Sequence, residues 1–354
     1  MIDEELVQLL TPEGERVDHP DYACSLSGDQ IFSMYRDMVI VRRLCNESTA
    51  LQRQGQLALW APVEGQEGAQ IGAGRALAPM DFTFPSYRGH GIAWCRGVPP
   101  EQVLRLFRAV SNGGWDPQKY RHHLPTIVLG NQVLNAVGYA MGVQRDGAEE
   151  AVLTFFGDGA SSQGDVLEAF VWASSFNAPV VFFCQNNQFG ISTPSVTQSK
   201  VPLFRRARGF GFPGVRVDGN DPLACYEVTK AARENARAGG GPTMIEAYTY
   251  RIGAHTTSDD PTRYRVDAEV EVWKHRDPIE RTKALLVREY QMKPAAFTAV
   301  KEEAEAFALK LRDDVLAMGR PDPLSMFDDA YAEAHPLVEE GRREMASLLA
   351  RGGE

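Results

Sequence analysis

The chain has 354 residues, 44% of them hydrophobic and 24% charged, an ordinary globular composition with ample material for a large core. A net charge of −10 leaves no basic excess to neutralise phosphates or anionic lipid, which excludes a general nucleic-acid binder and a membrane-surface protein. Five scattered cysteines without a Cys-x-x-Cys pair read as reduced thiols, the amino terminus is acidic, and no run reaches the ~18 apolar residues of a membrane span, so a cytoplasmic protein is expected.

In chain order, residues 1–28 are polar, are broken by Pro12, Gly14 and Pro20, and read as an extended arm of low fold content over the surface or a partner. Residues 29–276 read as the ligand-binding domain, and 277–354 as a charged helical region packing on that domain or on a partner subunit. Ser27 precedes a helical pattern over 30–54 with an apolar stripe through Ile31, Met34, Met38 and Leu51, and Gly55 ends it. Small residues crowd 64–74, the pattern of a helix packed tightly on another backbone; a nucleotide loop is the weaker reading because no strand precedes it.

A short apolar run, Phe82–Phe84, leads into Tyr87-Arg88-Gly89-His90. A planar guanidinium and a phenol just past a strand end suit a phosphate, with a surface salt bridge as the alternative. A helix over 101–110 and a loop over 113–117 follow. His122 and His123 have no surrounding Cys, His or acidic set of zinc spacing. Residues 127–130 read as a strand, and 136–142 as a small-residue helix.

The densest signal lies between 152 and 193. Residues 152–156 form an apolar β-branched and aromatic run that stops at Gly157-Asp158-Gly159; 161–177 has helical spacing with Ser161 or Ser162 as cap; 180–184 is a second buried strand running into Asn186-Asn187. This βαβ unit predicts an α/β fold, a parallel sheet flanked by helices, with both polar clusters at carboxyl ends of strands, where open sheets bind ligands. The Asp158 carboxylate, the Asn187 amide oxygen and a backbone carbonyl just beyond it, that of Phe189, suit an octahedral magnesium ion that keeps positions for phosphate and water. Glycines at 157 and 159 and the following helix start favour a diphosphate. Either motif alone is a common turn; twenty-six residues between Gly159 and Asn186, with a strand before each, is the specific feature.

Downstream, 214–221 reads as a strand and a structural turn, 222–238 as a helix, and 243–250 as a strand that ends in Gly253-Ala254-His255 and a Thr, Ser and Asp loop.

The wording Gly157-Asp158-Gly159-Ala160-Ser161-Ser162-Gln163-Gly164-Asp165, with Gln185-Asn186-Asn187-Gln188-Phe189-Gly190, resembles the α subunit of the decarboxylating first component of 2-oxo acid dehydrogenase complexes, over roughly residues 26–328. The resemblance implies a thiamine diphosphate-binding fold and oxidative decarboxylation of a 2-oxo acid. It places Tyr87, Arg88, Gly157, Asp158, Gly159, Ala160 and Asn187 on the cofactor and its magnesium. Leu129 holds the bent cofactor, with a core role equally open, and His255 contacts cofactor and reactant in a loop ordered by Arg251, Asp259, Tyr264 and Arg265. His123 is a catalytic candidate, and Thr256 stands where mitochondrial relatives carry a regulatory phosphoserine. The implied partners are a β subunit that supplies the activating glutamate in an α2β2 heterotetramer, and a lipoyl acyltransferase core. Pyruvate is the first-choice substrate, from the 113–117 loop and Tyr87-Arg88-Gly89-His90. Branched-chain 2-oxo acids follow, from 51–55 and 216–221, and acetoin is third. Two other classes fare worse: a nicotinamide dehydrogenase needs a third glycine that is absent after Gly159, and a non-catalytic scaffold has no need of Arg88, Asp158, Asn187 and His255 together.

Overall fold

The computed structural model describes residues 6–111 and 114–352. Its strands are β1 (Leu6–Val7), β2 (Phe82–Phe84), β3 (Val152–Gly157), β4 (Val180–Asn186), β5 (Phe189–Gly190), β6 (Thr193–Pro194), β7 (Gly214–Asp218) and β8 (Thr243–Tyr248). Six of them form one sheet in the order β1-β7-β8-β4-β3-β2, parallel throughout, while β5 and β6 make a separate antiparallel pair. The helices are α1 (Gly28–Arg53), α2 (Glu67–Arg75), α3 (His90–Cys95), α4 (Pro100–Phe107), α5 (Pro117–Tyr120), α6 (Asn131–Asp146), α7 (Gly164–Phe176), α8 (Ser195–Gln198), α9 (Arg205–Gly209), α10 (Pro222–Arg237), α11 (Asp267–Lys274), α12 (Pro278–Tyr290), α13 (Pro294–Leu316) and α14 (Pro336–Arg351). The expected α/β architecture is present.

Both faces of the sheet are buried, which is why its strands read as continuous apolar runs. Leu153 and Phe155 of β3, with Val181 and Phe183 of β4, join a core that extends to Val41 and Leu44 of α1 and to Leu311 and Val315 of α13. Val152, Phe156, Val180 and Phe182, one residue out of phase, join a second core with Val133 of α6 and Phe170 of α7. Each fully buried side chain of this size contributes about 1.5–3 kcal/mol. Helix α1 starts as expected: the Ser27 hydroxyl accepts from the Gln30 N–H, and the Gln30 side chain accepts from the Ser27 N–H.

Several expectations need correction. The arm is part of the sheet, because β1 pairs with β7 and the N–H groups of Leu9 and Leu10 donate to Asp221 at 2.7 and 2.6 Å; its first five residues lie outside the described ones. Residues 127–130 are a loop, with Ile127 and Val128 67% and 70% exposed. Their apolar composition marks a surface that no described strand covers. The helix expected from 161 begins at Gly164, after a short 3-10 turn over Ala160–Ser162. There the Ser161 hydroxyl donates to the Asp158 carbonyl at 2.6 Å, so it tightens the turn and does not cap the helix. Strand β8 ends at Tyr248, two residues early, where Thr249 turns away to donate to the Gly65 carbonyl.

Candidate active site

The carboxyl ends of the neighbouring strands β8, β4, β3 and β2 open onto one cavity of ≈ 530 Å³. Tyr87, Arg88, Leu129, Gly157, Asp158, Gly159, Ala160, Asn187, Phe189 and His255 all line it. Residues as far apart in sequence as Tyr87 and His255 thus meet because register is strict: Gly157 pairs with Gln185 across β3 and β4, and Asn186 with Tyr248 across β4 and β8. Gly159 and Gly190 abut so closely that a Cβ on Gly159 would lie 3.1 Å from the Gly190 Cα. A side chain at either position would press these two turns apart.

Asp158 is 2% exposed, and burial pushes its carboxyl up to about 6, against backbone hydrogen bonding and the charge of Arg251. Gln198 of α8 donates to its Oδ2 at a long 3.4 Å. The two asparagines at the end of β4 divide their work. Asn186 donates to the buried Glu246 at 2.7 Å and is structural. Asn187 faces the cavity, with Oδ1 accepting from the Phe189 N–H at 3.3 Å and Nδ2 donating to Gln66 Oε1 at 3.1 Å. Gln188 and Ile191 take left-handed φ values of 72° and 58°, a local cost that shapes the turn carrying the Phe189 carbonyl.

Arg88 and Arg251 bracket His255. Arg88 Nη1 donates to the Pro62 carbonyl at 2.6 Å, and Nη2 to the His255 carbonyl at 2.7 Å. The His255 Nδ1 lies 3.3 Å from Arg88 Nη2 and 3.5 Å from Arg251 Nη1. Both guanidiniums are donors, so Nδ1 accepts and the ring proton sits on Nε2. Burial, then the charges of Arg88 and Arg251, hold the imidazole down at about 4, so it is neutral. Arg251 also donates to the Phe189 carbonyl (3.1 Å), the Ile191 carbonyl (2.6 Å) and the Tyr264 hydroxyl (2.9 Å), while Asp259 accepts from the His255 N–H at 2.8 Å. Arg265 donates to the carbonyls of Arg251 and Ile252. This loop is tied as the resemblance implies.

His123 does not line the cavity: it stacks on Phe84 with centroids 4.9 Å apart. His122 is buried against Trp115 with Nδ1 2.7 Å from the Thr83 hydroxyl, and burial takes its imidazole down to about 3. His90 is also buried, stacked on Trp60, with Nε2 2.9 Å from the Ala61 carbonyl. Among the described residues no group of three or more His, Cys, Asp or Glu could hold a metal ion.

Three lining glutamines carry no motif signal, Gln66, Gln132 and Gln198; Gln185 lines the cavity beside them, and Gln70, one turn beyond Gln66, donates to the Arg88 carbonyl at 2.8 Å and accepts from the Gly91 N–H at 2.7 Å. The one available signal was that Gln66 and Gln70 stand four apart and so share a helix face. Buried Gln66 Nε2, Gln132 Oε1, Gln185 Nε2 and Arg251 Nε have no hydrogen-bond partner. Unpaired polar atoms around a cavity, beside a buried carboxylate, fit a polar ligand and a hard cation completed by phosphate oxygens and water.

The model of the dehydrogenase E1 component family matches residues 35–308. The chain belongs to that family. This E1 chain is 42% identical to the 3-methyl-2-oxobutanoate dehydrogenase subunit alpha of Mycobacterium tuberculosis over 99% of its own length and 96% of the relative's. It is 40% identical to the pyruvate dehydrogenase E1 component subunit alpha of Staphylococcus epidermidis over 80% of its length and 76% of the relative's. The Staphylococcus aureus counterpart is 39% identical over the same shares. These matches bear out the resemblance drawn from the motifs at 157–165 and 185–190.

Proposed function

We propose that this E1 chain is the α subunit of a branched-chain 2-oxo acid dehydrogenase, holding thiamine diphosphate through magnesium. The observation that carries the reading is the convergence of Asp158, Asn187, Arg88 and His255 on one cavity rich in unpaired polar atoms. Asp158, Asn187 and the Phe189 carbonyl would hold magnesium, while Tyr87, Arg88 and the backbone of Gly159 and Ala160 would hold the diphosphate. Thiamine diphosphate, when bound, supplies the electron sink for decarboxylation. Arg88 adds charged donors without rearrangement, because the Pro62 and His255 carbonyls already fix its plane. His255 would offer a neutral Nε2–H as a hydrogen-bond donor to a polar atom of the cofactor or reactant. Phe107, Leu59 and Leu129 in the lining help exclude water.

Asp158 is the one carboxylate among the described lining residues, and the reading commits it to the cation. The glutamate that activates the aminopyrimidine therefore comes from a β subunit, in an α2β2 assembly that passes the acyl group to a lipoyl acyltransferase core. The exposed apolar loop at Ile127 and Val128 beside the cavity suits such a partner. Among the described residues no helix is long and apolar enough to cross a membrane, and a cytoplasmic place is part of the proposal.

For the substrate, of the features that favoured pyruvate only Tyr87 and Arg88 line the cavity, whereas His90 and Trp115 are buried in packing and Gly113 lies outside the described residues. The branched-chain markers at 216–221 are equally structural, with Asp218 bonded to Arg281 at 2.9 Å and Asp221 capping α10. The weight passes to the relative matched along nearly the whole chain, a 3-methyl-2-oxobutanoate enzyme. Pyruvate remains the second reading, on the Staphylococcus relatives. The test is carbon dioxide release from each acid by this chain with its β partner, thiamine diphosphate, magnesium and an artificial electron acceptor. Turnover of 3-methyl-2-oxobutanoate that vanishes without the β chain is expected. Faster turnover of pyruvate overturns the substrate choice, and turnover by this chain alone overturns the split site.

A further inference from the structure

Gln66 stands at the amino-terminal cap position of α2, where a polar side chain ordinarily satisfies backbone N–H groups, yet it makes no capping bond. It is fully buried, lines the cavity, and spends its oxygen on Asn187 Nδ2 at 3.1 Å. Its backbone cannot drift. Its N–H donates to the Val63 carbonyl at 2.8 Å, and α2 is clamped where a Cβ on Gly72 would lie 2.6 Å from both the Cys225 Cβ and the Pro222 carbonyl.

An asparagine amide is nearly symmetric in shape but opposite in chemistry at its two ends: the oxygen can ligate a cation, and the NH2 repels one. Turned over, Asn187 would set its NH2 against the Phe189 N–H and, with the Gln66 amide as it stands, its oxygen against the Gln66 oxygen, so both present bonds would be lost. We propose that Gln66 is a positioning residue that holds the Asn187 amide with its oxygen available to a divalent cation. Gln66 reaches the cation only through Asn187, and its unpaired Nε2 is left for the cavity. The inference rests on the reading of Asp158 and Asn187 as a cation site.

The test compares Mn2+ binding, followed by electron paramagnetic resonance with thiamine diphosphate present, in the full chain assembled with its β partner. Gln66→Met and Gln66→Leu remove the acceptor at similar volume, whereas Gln66→Glu keeps an oxygen toward Asn187. The two apolar variants should weaken Mn2+ by about tenfold or more and Gln66→Glu by less than about threefold, in the range of residues that orient metal ligands. The defect should appear as a raised Mn2+ requirement at saturating thiamine diphosphate. In an Asn187→Asp background, where either end is an oxygen, Gln66→Met should cost less than about threefold. Wild-type affinity in either apolar variant, or equal weakening by Gln66→Glu, overturns the proposal. Asp158→Ala separates the two levels: if it binds Mn2+ like wild type, the cation site itself is misread and the inference falls with it, whereas loss in Asp158→Ala without loss in Gln66→Met sinks the inference alone.

Discussion

Replacing Asp158 with asparagine should make the cation-free protein more stable while abolishing its magnesium response. Burial raises the Asp158 carboxyl from 3.8 to about 6. At about 1.4 kcal/mol per unit, the folded chain carries a cost on the order of 3 kcal/mol for holding that carboxylate charged. The sign follows from proton binding: between these values the folded state binds the proton more tightly than the unfolded one, so stability falls as pH rises from 3.8 to 6 and stays reduced above. Asparagine keeps the shape and never ionises. Urea unfolding of the assembly in chelator should therefore favour Asp158→Asn by about 2–3 kcal/mol near pH 8, with the gap closing towards about pH 4. Magnesium with thiamine diphosphate should stabilise the wild type and leave the variant unmoved. A variant less stable than wild type near pH 8 in chelator would refute the reasoning, because the carboxylate would then be satisfied by the fold and not waiting for a cation.

Three further outcomes follow from the geometry. Arg88→Lys loses the planar fork that joins the Pro62 and His255 carbonyls, and calorimetry should show thiamine diphosphate affinity down about tenfold or more. His255, held at about 4, is neutral above that value; its nitrogen NMR shifts should show an Nε2–H tautomer with no titration between about pH 5.5 and 8. Because the folded chain refuses a proton that the unfolded chain accepts, its contribution to stability is complete above 6.5 and is lost as pH falls towards 4. Gly159→Ala sets a methyl 3.1 Å from the Gly190 Cα; the two turns must part, at a cost of about 1–3 kcal/mol read by unfolding, together with weaker cofactor binding.

What was legible in advance was what is local. The strands β3 and β4 announce themselves because both faces of a parallel sheet are buried, so every position is apolar until the chain turns. Asp158 and Asn187 follow those strands directly, and a strand end is where ligands meet such a sheet. The 127–130 loop was misread because an apolar run looks the same whether it is buried in a strand or left exposed beside a cavity. His123 illustrates the opposite case: its residue type invites chemistry, yet its ring stacks on Phe84 and does not line the cavity.

The sequence by itself determined the α/β class, the family and the acid-amide pair, since each depends on periodicity or on motifs a few residues long. Only the tertiary structure decided that Arg88 and Arg251 share one imidazole, that Gln66 faces Asn187 across 121 positions, and that the arm completes the sheet beside β7. Those contacts join segments far apart in the chain, and side-chain direction there is set by helix packing and strand register, which no local pattern encodes.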